Sequence, residues 1–259
     1  MATSATDADA HARWISIQDQ MGQQRVNHDK LDFAKTVGAN GQIQFTDLHF
    51  VGGLDVSCFA GNDCRDAIAC VVVLKYPEMT LIYEDSERAI LQEPYIPGFL
   101  AFREVPATFP ILSRLKRLHP EWWPQVLFVD GNGTLHPRRF GFACHIGVLH
   151  DIPAIGIGKT FLAIRKDGLL IDQVKKQCRA TLQQRCDVYK LAGSVSGFVY
   201  GAGVRTGNDA VNPVFVSPGH RISLETAIDL TLACCQYRVP EPIRMADHLS
   251  RKAVRNLSL

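Results

Sequence analysis

The sequence predicts an α/β protein built on a mixed central sheet. Three strand patterns separated by short turns lie between residues 49 and 83, and such short connections are typical of an antiparallel meander. A strand–helix–strand pattern follows over residues 126–157, and a connection of this kind joins parallel strands. We therefore expect antiparallel and parallel strands in one sheet, flanked by helices.

Composition is that of an ordinary globular protein. The chain has 259 residues, of which 46% are hydrophobic and 21% charged, enough for one large domain or two small ones. Since the sequence has no internal repeat and no low-complexity segment, we predict one domain. The polar, alanine-rich start predicts a disordered tail over residues 1–12 and a single domain over residues 13–259. Because the formal net charge is only +2, a nucleic-acid partner would have to be bound by local clusters of basic residues.

The cysteines and the apolar runs restrict the class of protein. None of the eight cysteines forms a C-x-x-C pair, which disfavours a zinc knuckle. Most lie in apolar runs, so we expect small buried hydrophobes and no disulfides. The N-terminus lacks the apolar region of a secretory signal, and no apolar run approaches the ~18 residues that span a membrane. We expect a reduced, soluble, intracellular protein.

Asp55 lies inside the first strand pattern, between Leu54 and Val56. Aspartate is depleted in strands, and burying its carboxylate without a partner costs free energy. A bound metal would be a suitable partner. A carboxylate hydrogen-bonded to backbone or turn groups is about equally consistent with the pattern.

The loop after the meander holds an aromatic side chain between two prolines. Pro94 and Pro97 favour an extended backbone around Tyr95, which suits stacking against a base. A tyrosine that covers the edge of the core would explain the residue equally well. Glu104 follows where a helical pattern begins, and the basic far side of that helix is more typical of a solvated face than of a phosphate contact.

Asp130 ends the fourth strand pattern and is followed by Gly131, Gly133 and His136. A strand that delivers a carboxylate into a glycine-lined turn is how an open α/β sheet presents chemistry at its carboxyl edge. Since the next strand should be parallel, Lys159 at its end is expected near Asp130, where it would hold a phosphate. A plain surface lysine is the alternative.

Near the C-terminus, a hairpin pattern over residues 195–217 leads to His220, just before a helix that Ser223 could cap. A histidine there suits a metal ligand or a general acid or base, although a simple loop residue is as consistent. Residues 167–190 show only weak patterning.

The acidic residues come together if the first strand pairs with the fourth, because Asp55 and Asp130 then become neighbours. A three-strand meander followed by parallel α/β units is the ribonuclease H-like arrangement. Carboxylates on neighbouring strands are ligands for Mg²⁺, with Mn²⁺ as a substitute. Such ions activate water for phosphodiester hydrolysis.

Five segments, in order along the chain, resemble the endonuclease V family, whose members are specific for inosine. They are Gly-Leu-Asp-Val-Ser57, Pro94-Tyr-Ile-Pro-Gly-Phe-Leu-Ala-Phe-Arg-Glu104, Asp130-Gly-Asn-Gly-Thr-Leu-His-Pro-Arg138, Gly156-Ile-Gly-Lys159 and Gly219-His-Arg-Ile-Ser223. The fourth departs slightly from the commoner Gly-Val-Ala-Lys but keeps the lysine. Asp130-Gly-Asn-Gly and the segment from Cys234 to Arg244 resemble the animal branch of the family.

The resemblance implies roles for individual residues. The implied catalytic residues are Asp55, Glu104, Asp130, Lys159 and His220, with Asp55 and Asp130 also as metal ligands. The implied substrate-binding residues are Pro94, Tyr95, Ile96, Pro97, Gly98, Leu100, Gly131 and His136. In this scheme residues 94–97 form a wedge, Tyr95 stacks beside the inosine, and Gly98, Leu100 and Gly131 line the pocket for the flipped base.

The resemblance also implies a reaction. Family members cut the second phosphodiester bond 3′ to inosine and leave 3′-hydroxyl and 5′-phosphate ends. Animal members act on RNA, so we expect inosine in single-stranded RNA as the substrate, with Mg²⁺ as cofactor. A deoxyinosine-specific DNA repair nuclease and a catalytically inactive inosine-binding protein are the alternatives. We expect a monomer in the cytoplasm, the nucleus or both, including the nucleolus, with no membrane partner.

Overall fold

The structure is a computed structural model that describes residues 5–39, 41–59, 64–210 and 212–257. Its helices are α1 (Ala5–Gln24), α2 (Leu100–Leu118), α3 (Phe142–His150), α4 (Ile171–Thr181), α5 (Leu224–Ala233) and α6 (Glu241–Leu257). Its strands are β1 (Ala34–Val37), β2 (Ile43–Thr46), β3 (Phe50–Cys58), β4 (Asp66–Lys75), β5 (Thr80–Ile90), β6 (Val126–Asp130), β7 (Ala154–Gly158), β8 (Val188–Ala192), β9 (Val199–Val204) and β10 (Val214–His220).

Eight strands form one mixed sheet in the order β5-β4-β3-β6-β7-β10-β9-β8, and β1 pairs with β2 separately. Strands β3, β4 and β5 are the predicted antiparallel meander. Strand β6 runs parallel to β3 and to β7. The predicted mixed α/β sheet of the ribonuclease H-like type is therefore confirmed, as is the antiparallel pairing of β9 with β10.

The sheet has a hydrophobic layer on each face because its strands alternate their side chains. Phe128 of β6 packs in one layer together with residues of α5 and α6. Its neighbours Leu127 and Val129 pack in the other layer, with residues of α2 and α3. This period of two, with apolar residues at every position, is typical of a central strand covered on both sides.

Helix α6 lies close against β3, and a glycine permits that approach. A Cβ atom placed on Gly53 would lie 2.0 Å from the carbonyl oxygen of Pro242 at the start of α6. Any larger residue at position 53 would therefore push the helix away from the sheet. The close contact brings the C-terminal helix to the strand that carries Asp55.

The structure corrects three expectations. Residues 5–12, expected to be disordered, lie in α1, while residues 1–4 lie outside the described residues. The weakly patterned stretch 167–190 contains α4 and the start of β8. Cys58 and Cys64 form a disulfide, with their Cα atoms 5.1 Å apart, where none was expected.

The expectation that most cysteines are buried is met outside the disulfide. Among the six remaining cysteines, all but Cys186 are buried, as expected for small hydrophobic residues. Among the described residues, no helix has both the length and the apolar character that crossing a bilayer requires.

Candidate active site

Three aspartates from three distant parts of the chain meet at one edge of the sheet. Asp55 lies in β3, Asp130 ends β6 and Asp247 lies in α6. One carboxylate oxygen from each lies within 4.8 Å of the other two. The parallel pairing of β3 with β6 accounts for the first two, and the packing of α6 against β3 adds the third.

Lys159 bridges two of these carboxylates. It follows β7 directly, and its Nζ lies 2.7 Å from Oδ2 of Asp130 and 2.8 Å from Oδ1 of Asp247. Although burial opposes the charged form, the two aspartates raise the pKa of Lys159 above its ordinary value. The lysine is thus a fixed cation beside the acidic cluster, as its position after a parallel strand predicted.

Asp55 is oriented by two hydroxyl groups. Its Oδ2 accepts a hydrogen bond from Ser250 Oγ at 2.6 Å and another from Ser57 Oγ at 3.0 Å. Ser57 comes from the same strand and Ser250 from α6, one turn after Asp247. Since only 3% of Asp55 is exposed, these bonds hold the carboxylate in one rotamer and leave its other oxygen available.

The surroundings of the cluster raise the pKa of two carboxyl groups, Asp130 and Glu104. Burial raises the pKa of Asp130 to about 7; Lys159 opposes this shift and Asp55 adds to it. Burial also raises the pKa of Glu104 well above its usual range, and the negative charges of Asp55 and Asp130 raise it further. Asp247 also pairs with Arg251, whose Nε lies 2.9 Å from its Oδ2. The three aspartates and Glu104 therefore outnumber Lys159 and Arg251, the two cations that pair with the aspartates.

The donor set fits a hard divalent cation. Three convergent carboxylates offer only oxygen ligands, which Mg²⁺ and Mn²⁺ prefer. Burial raises the pKa of Asp130 because it disfavours the negative charge, and a bound cation would stabilise that charge. Asp55, Asp130 and Asp247 would hold the ion, and Glu104 lies close enough to sense two of them.

A second cavity, of about 270 Å³, opens beside the acidic cluster. Four residues predicted to bind substrate line it: Tyr95, Gly98, Leu100 and His136. Its walls also include Phe142 and Phe161, and Tyr95 is 64% exposed at its mouth. A flat, partly aromatic cavity of this size suits a base turned out of its stack.

The carbonyl of Gly98 anchors the loop that carries Tyr95. It accepts hydrogen bonds from His136 Nε2 at 2.9 Å, Arg138 Nη2 at 2.7 Å and Gln18 Nε2 at 3.1 Å. His136 Nδ1 accepts from the backbone N–H of Arg138, so the ring is neutral with its proton on Nε2. Burial, and then the charge of Arg138, lowers the pKa of His136 to about 4. At Gly98 the backbone adopts φ +87°, a conformation that favours glycine.

The remaining predicted substrate residues, including Gly131, are not among the residues that line this cavity. Pro94 and Pro97 are exposed and Ile96 is half-buried, all in the loop before α2. Gly131 donates its N–H to the carbonyl of Ile157 at 3.1 Å. A Cβ atom on Gly131 would lie 3.1 Å from the ring of Phe142, so packing against that wall is one reason for the glycine.

His220 is not brought to the acidic cluster. It ends β10, which runs antiparallel to β7, so it pairs with Ala154 at the beginning of β7, away from Lys159. Its Nδ1 accepts from the N–H of Val26 and its Nε2 lies 3.2 Å from Oδ1 of Asp151. These contacts give His220 a structural position, and its catalytic role stays a prediction without geometric support.

Sequence reasoning missed Asp247 and Gln18. A signal for Asp247 existed, because α6 is amphipathic and Ile243, Ala246 and Ser250 form its buried stripe. An acid beside such a stripe requires a partner. Gln18 lies in a helix whose contact with the loop of Tyr95 no local pattern reveals.

The fold and this cluster define a class: an α/β protein with a carboxylate cation site at the edge of a mixed sheet, beside a base-sized cavity. Comparison with known proteins gives the family. The family model described as Endonuclease V matches residues 32–248, and the chain belongs to the endonuclease V family.

Mammalian relatives give the similarity in detail. The chain is 48% identical to Endonuclease V of Mus musculus over 211 residues, which cover 82% of this chain and 61% of the mouse protein. Identity to the Homo sapiens protein is 46%, with 82% and 73% covered. The chain thus spans about three fifths of the mouse relative's length.

Solved structures agree with the fold. The catalytic domain of human Endonuclease V superposes with a TM-score of 0.88 at 40% identity, covering 96% of this chain and 97% of that one. Endonuclease V of Ciona intestinalis superposes with a TM-score of 0.87 at 34% identity, covering 96% and 98%. That protein was solved in complex with a 23mer DNA containing an inosine followed by a ribo-adenosine.

Proposed function

We propose that this protein is a divalent-metal-dependent endonuclease that recognises inosine in single-stranded RNA. It hydrolyses the second phosphodiester bond 3′ to the inosine and leaves 3′-hydroxyl and 5′-phosphate ends. The observation that carries the proposal is the placement of the aspartate cluster beside the cavity of Tyr95. Lys159 borders the cleft that contains Asp55, Asp130 and Asp247, here called the acidic cleft. The next two residues, Thr160 and Phe161, border the cavity.

The residues divide the work between holding the base and holding the phosphate. Tyr95 stacks beside the inosine, while the loop fixed through the Gly98 carbonyl shapes the cavity for the base. Lys159 contacts the phosphate and balances charge that develops on its oxygens. A cation held by the three aspartates would supply an activated water and stabilise the leaving oxygen. Ser57 and Ser250 fix the carboxylate of Asp55 in the orientation that would hold the ion.

Two observations support RNA over DNA. The higher identities are to mammalian relatives, at 48% and 46%, against 39% for the Gloeobacter violaceus protein, which agrees with the animal-type segments of the sequence. The Ciona intestinalis protein was solved with a ribonucleotide directly after the inosine. A 2′-hydroxyl at that position is the feature that distinguishes RNA for a protein reading the strand.

The test uses matched single strands with one inosine: all-RNA, all-DNA, and DNA with one ribonucleotide after the inosine. Each is incubated with Mg²⁺, with Mn²⁺ and with chelator. We expect cleavage of the RNA and of the mixed strand with either ion and none with chelator. Preferential cutting of all-DNA would support the DNA repair alternative. Binding without cutting in every condition would support the inactive inosine-binding alternative.

We also propose that the protein acts as a monomer in the cytoplasm, the nucleus or both. The acidic cleft and the base cavity are both built from one chain, which supports a monomer. Light scattering at two protein concentrations tests the oligomeric state, and imaging of a tagged chain tests the location. A dimer that dissociates only with loss of activity would contradict the monomer.

A further inference from the structure

A third cavity, of about 760 Å³, begins at Lys159 and extends away from both sites described above. Helix α4 forms one side through Ile171, Lys175 and Arg179, which are spaced four residues apart and so share one face. Arg205 and Arg238 line the other side. Its volume lies within the range of ligand pockets, yet the chemistry proposed above uses none of these five residues.

The cavity carries positive charge that the protein does not neutralise. Among the described residues no carboxylate lines it. In that same set, no ion pair involves Lys175, Arg179, Arg205 or Arg238. Such a concentration of one sign in a concave surface attracts an anion.

The two arginines of the far wall keep their full charge although they are hydrogen-bonded. Arg205 donates to the carbonyls of Leu182 and Asn208, at 2.9 and 2.6 Å. Arg238 donates to the carbonyls of Lys159 and Pro213, at 2.8 and 3.0 Å. Carbonyl partners fix a guanidinium in place without offsetting its charge, so these arginines are a rigid positive wall.

An apolar patch lies beside the charges. Phe161 and Phe215 are in contact, with ring centroids 5.4 Å apart, and both line the cavity. Ile171 is 40% exposed at its edge. Because Phe161 and Phe215 are only 7% and 5% exposed, they form an apolar floor beneath the cations, and contact with a nucleic-acid strand falls to the basic side chains through its phosphates.

The cavity is continuous with both parts of the proposed active site. Lys159 lines this cavity and the acidic cleft. Thr160 and Phe161 line this cavity and the base cavity. A strand with its inosine beside Tyr95 and a phosphate at Lys159 therefore reaches the new cavity without leaving the surface.

We propose that this cavity, which we call the α4 subsite, binds phosphates of the nucleic-acid strand. The bound phosphates lie outside the segment that runs from the inosine to the cleaved bond. The inference rests on the proposed function and extends it, because it predicts that cleavage depends on strand length. Substrates that reach the α4 subsite gain affinity through Lys175 and Arg179, whereas the inosine and the cleaved bond are handled elsewhere.

The test compares a long strand that contains inosine with a minimal strand. The minimal strand has one nucleotide on the 5′ side of the inosine and ends one nucleotide past the cleaved bond on the 3′ side. The variant is Lys175→Glu/Arg179→Glu. Both positions are exposed on α4, and glutamate is a good helix former. The control is Arg165→Glu/Lys166→Glu, which makes the same charge change at two exposed residues outside the cavity.

We expect the α4 variant to raise KM for the long strand about tenfold, with kcat unchanged, and to leave the minimal substrate unaffected. The slope of log KM against log salt should fall by about 0.7 for each phosphate that the variant no longer neutralises. The control should change neither value appreciably. Trimming the long strand from one end at a time then identifies which side occupies the subsite.

Two results would overturn the inference: an equal loss on both substrates, or equal effects of the α4 variant and the control. Failure of the proposed function gives a different result, namely no cleavage by the unaltered protein. In that case binding of the long and minimal strands, measured by fluorescence anisotropy with chelator present, still decides the α4 subsite. Unchanged affinity of the α4 variant for the long strand would then reject it.

Discussion

The two ends of the central sheet carry similar side chains in opposite arrangements. At the carboxyl ends of β6 and β7, three aspartates from separate elements face two cations, Lys159 and Arg251. At the opposite end, Asp151 lies against two basic residues, His220 at 3.2 Å and Arg221 at 3.4 Å. Acids exceed cations at the first end, whereas at the second Arg221 balances the charge of Asp151 and burial lowers the pKa of His220, which favours its neutral form. An excess of negative charge requires a bound cation, so it identifies the end of the sheet where we propose the active site. The presence of an aspartate and a histidine alone does not identify such an end.

The pKa values of the aspartates at the two ends shift in opposite directions. The bond from His220 lowers the pKa of Asp151, as expected for a stabilised carboxylate. Burial instead raises the pKa of Asp130. One end thus stabilises the charges it contains, and the other holds charge that a bound ion would stabilise.

The largest effect is expected at Asp55. Asp55→Ala should lower the cleavage rate by at least about a thousandfold, because it removes a ligand of the cation that supports both water activation and the leaving oxygen. Affinity for an inosine strand should stay nearly unchanged, because the base cavity is separate. Single-turnover cleavage and anisotropy on the same protein sample measure the two quantities. A variant that cuts at the normal rate would show that Asp55 holds no essential ion.

Asp247 and His220 give the direct test of the two ends. Asp247→Asn should lower kcat about a hundredfold with a small change in the melting temperature, since the residue is half-buried and would hold the proposed cation. His220→Asn should lower the melting temperature by several degrees, because the ring is 3% exposed and fully hydrogen-bonded. Its kcat should remain within about threefold. A large loss of kcat in a stably folded His220 variant would reverse the comparison and restore the catalytic role predicted from sequence.

The sequence predicted the part of the site that follows from strand order. Asp55 and Asp130 could be placed side by side because a meander followed by a parallel unit puts their strands next to each other, and Lys159 followed from the direction of β7. His220 could not be placed, because the irregular pairing at Pro218 keeps it within an antiparallel strand. That strand ends at the opposite side of the sheet.

Asp247 escaped prediction because it is 117 residues from Asp130 in sequence and joins it only through tertiary packing. No spacing rule connects the two, since α6 reaches the site by lying against Gly53 of β3. The Cys58–Cys64 disulfide was missed for a related reason: whether two cysteines pair depends on the distance between their Cα atoms in the fold, which their spacing in sequence does not give. Contacts between adjacent strands were predictable, and contacts made by a returning helix were not.

A moderate effect is expected at the anchor of the Tyr95 loop. His136→Ala removes one of three donors to the Gly98 carbonyl, which loosens the loop without touching the aspartates. We expect KM for an inosine strand to rise about tenfold, with kcat reduced less, and the preference for inosine over adenosine to weaken. Matched inosine and adenosine strands measure this. An equal loss on both strands would mean that His136 supports only the general fold.

The smallest effect concerns the histidines on the α3 side of the sheet. Burial lowers the pKa of His145 to about 4 and of His150 to about 4. Neither His145 Nδ1 nor His150 Nε2 has a hydrogen-bond partner among the described residues. Because the unfolded chain binds these protons at about pH 6.5, the folded state loses stability as the pH falls from about 6.5 towards 4, by up to about 3 kcal/mol per histidine.

Urea unfolding of wild type and of His150→Gln at pH 7.5 and pH 5 measures this loss. The variant should be less stable than wild type at pH 7.5 but should lose less stability on acidification. That pattern arises because glutamine cannot take up the proton that favours the unfolded chain. Equal pH dependence of the two proteins would show that His150 is not the neutral, buried group that its surroundings indicate. Such a result would also mean that the buried side of α3 does not exclude charge, and so does not differ in this respect from the aspartate cluster at the edge of the sheet.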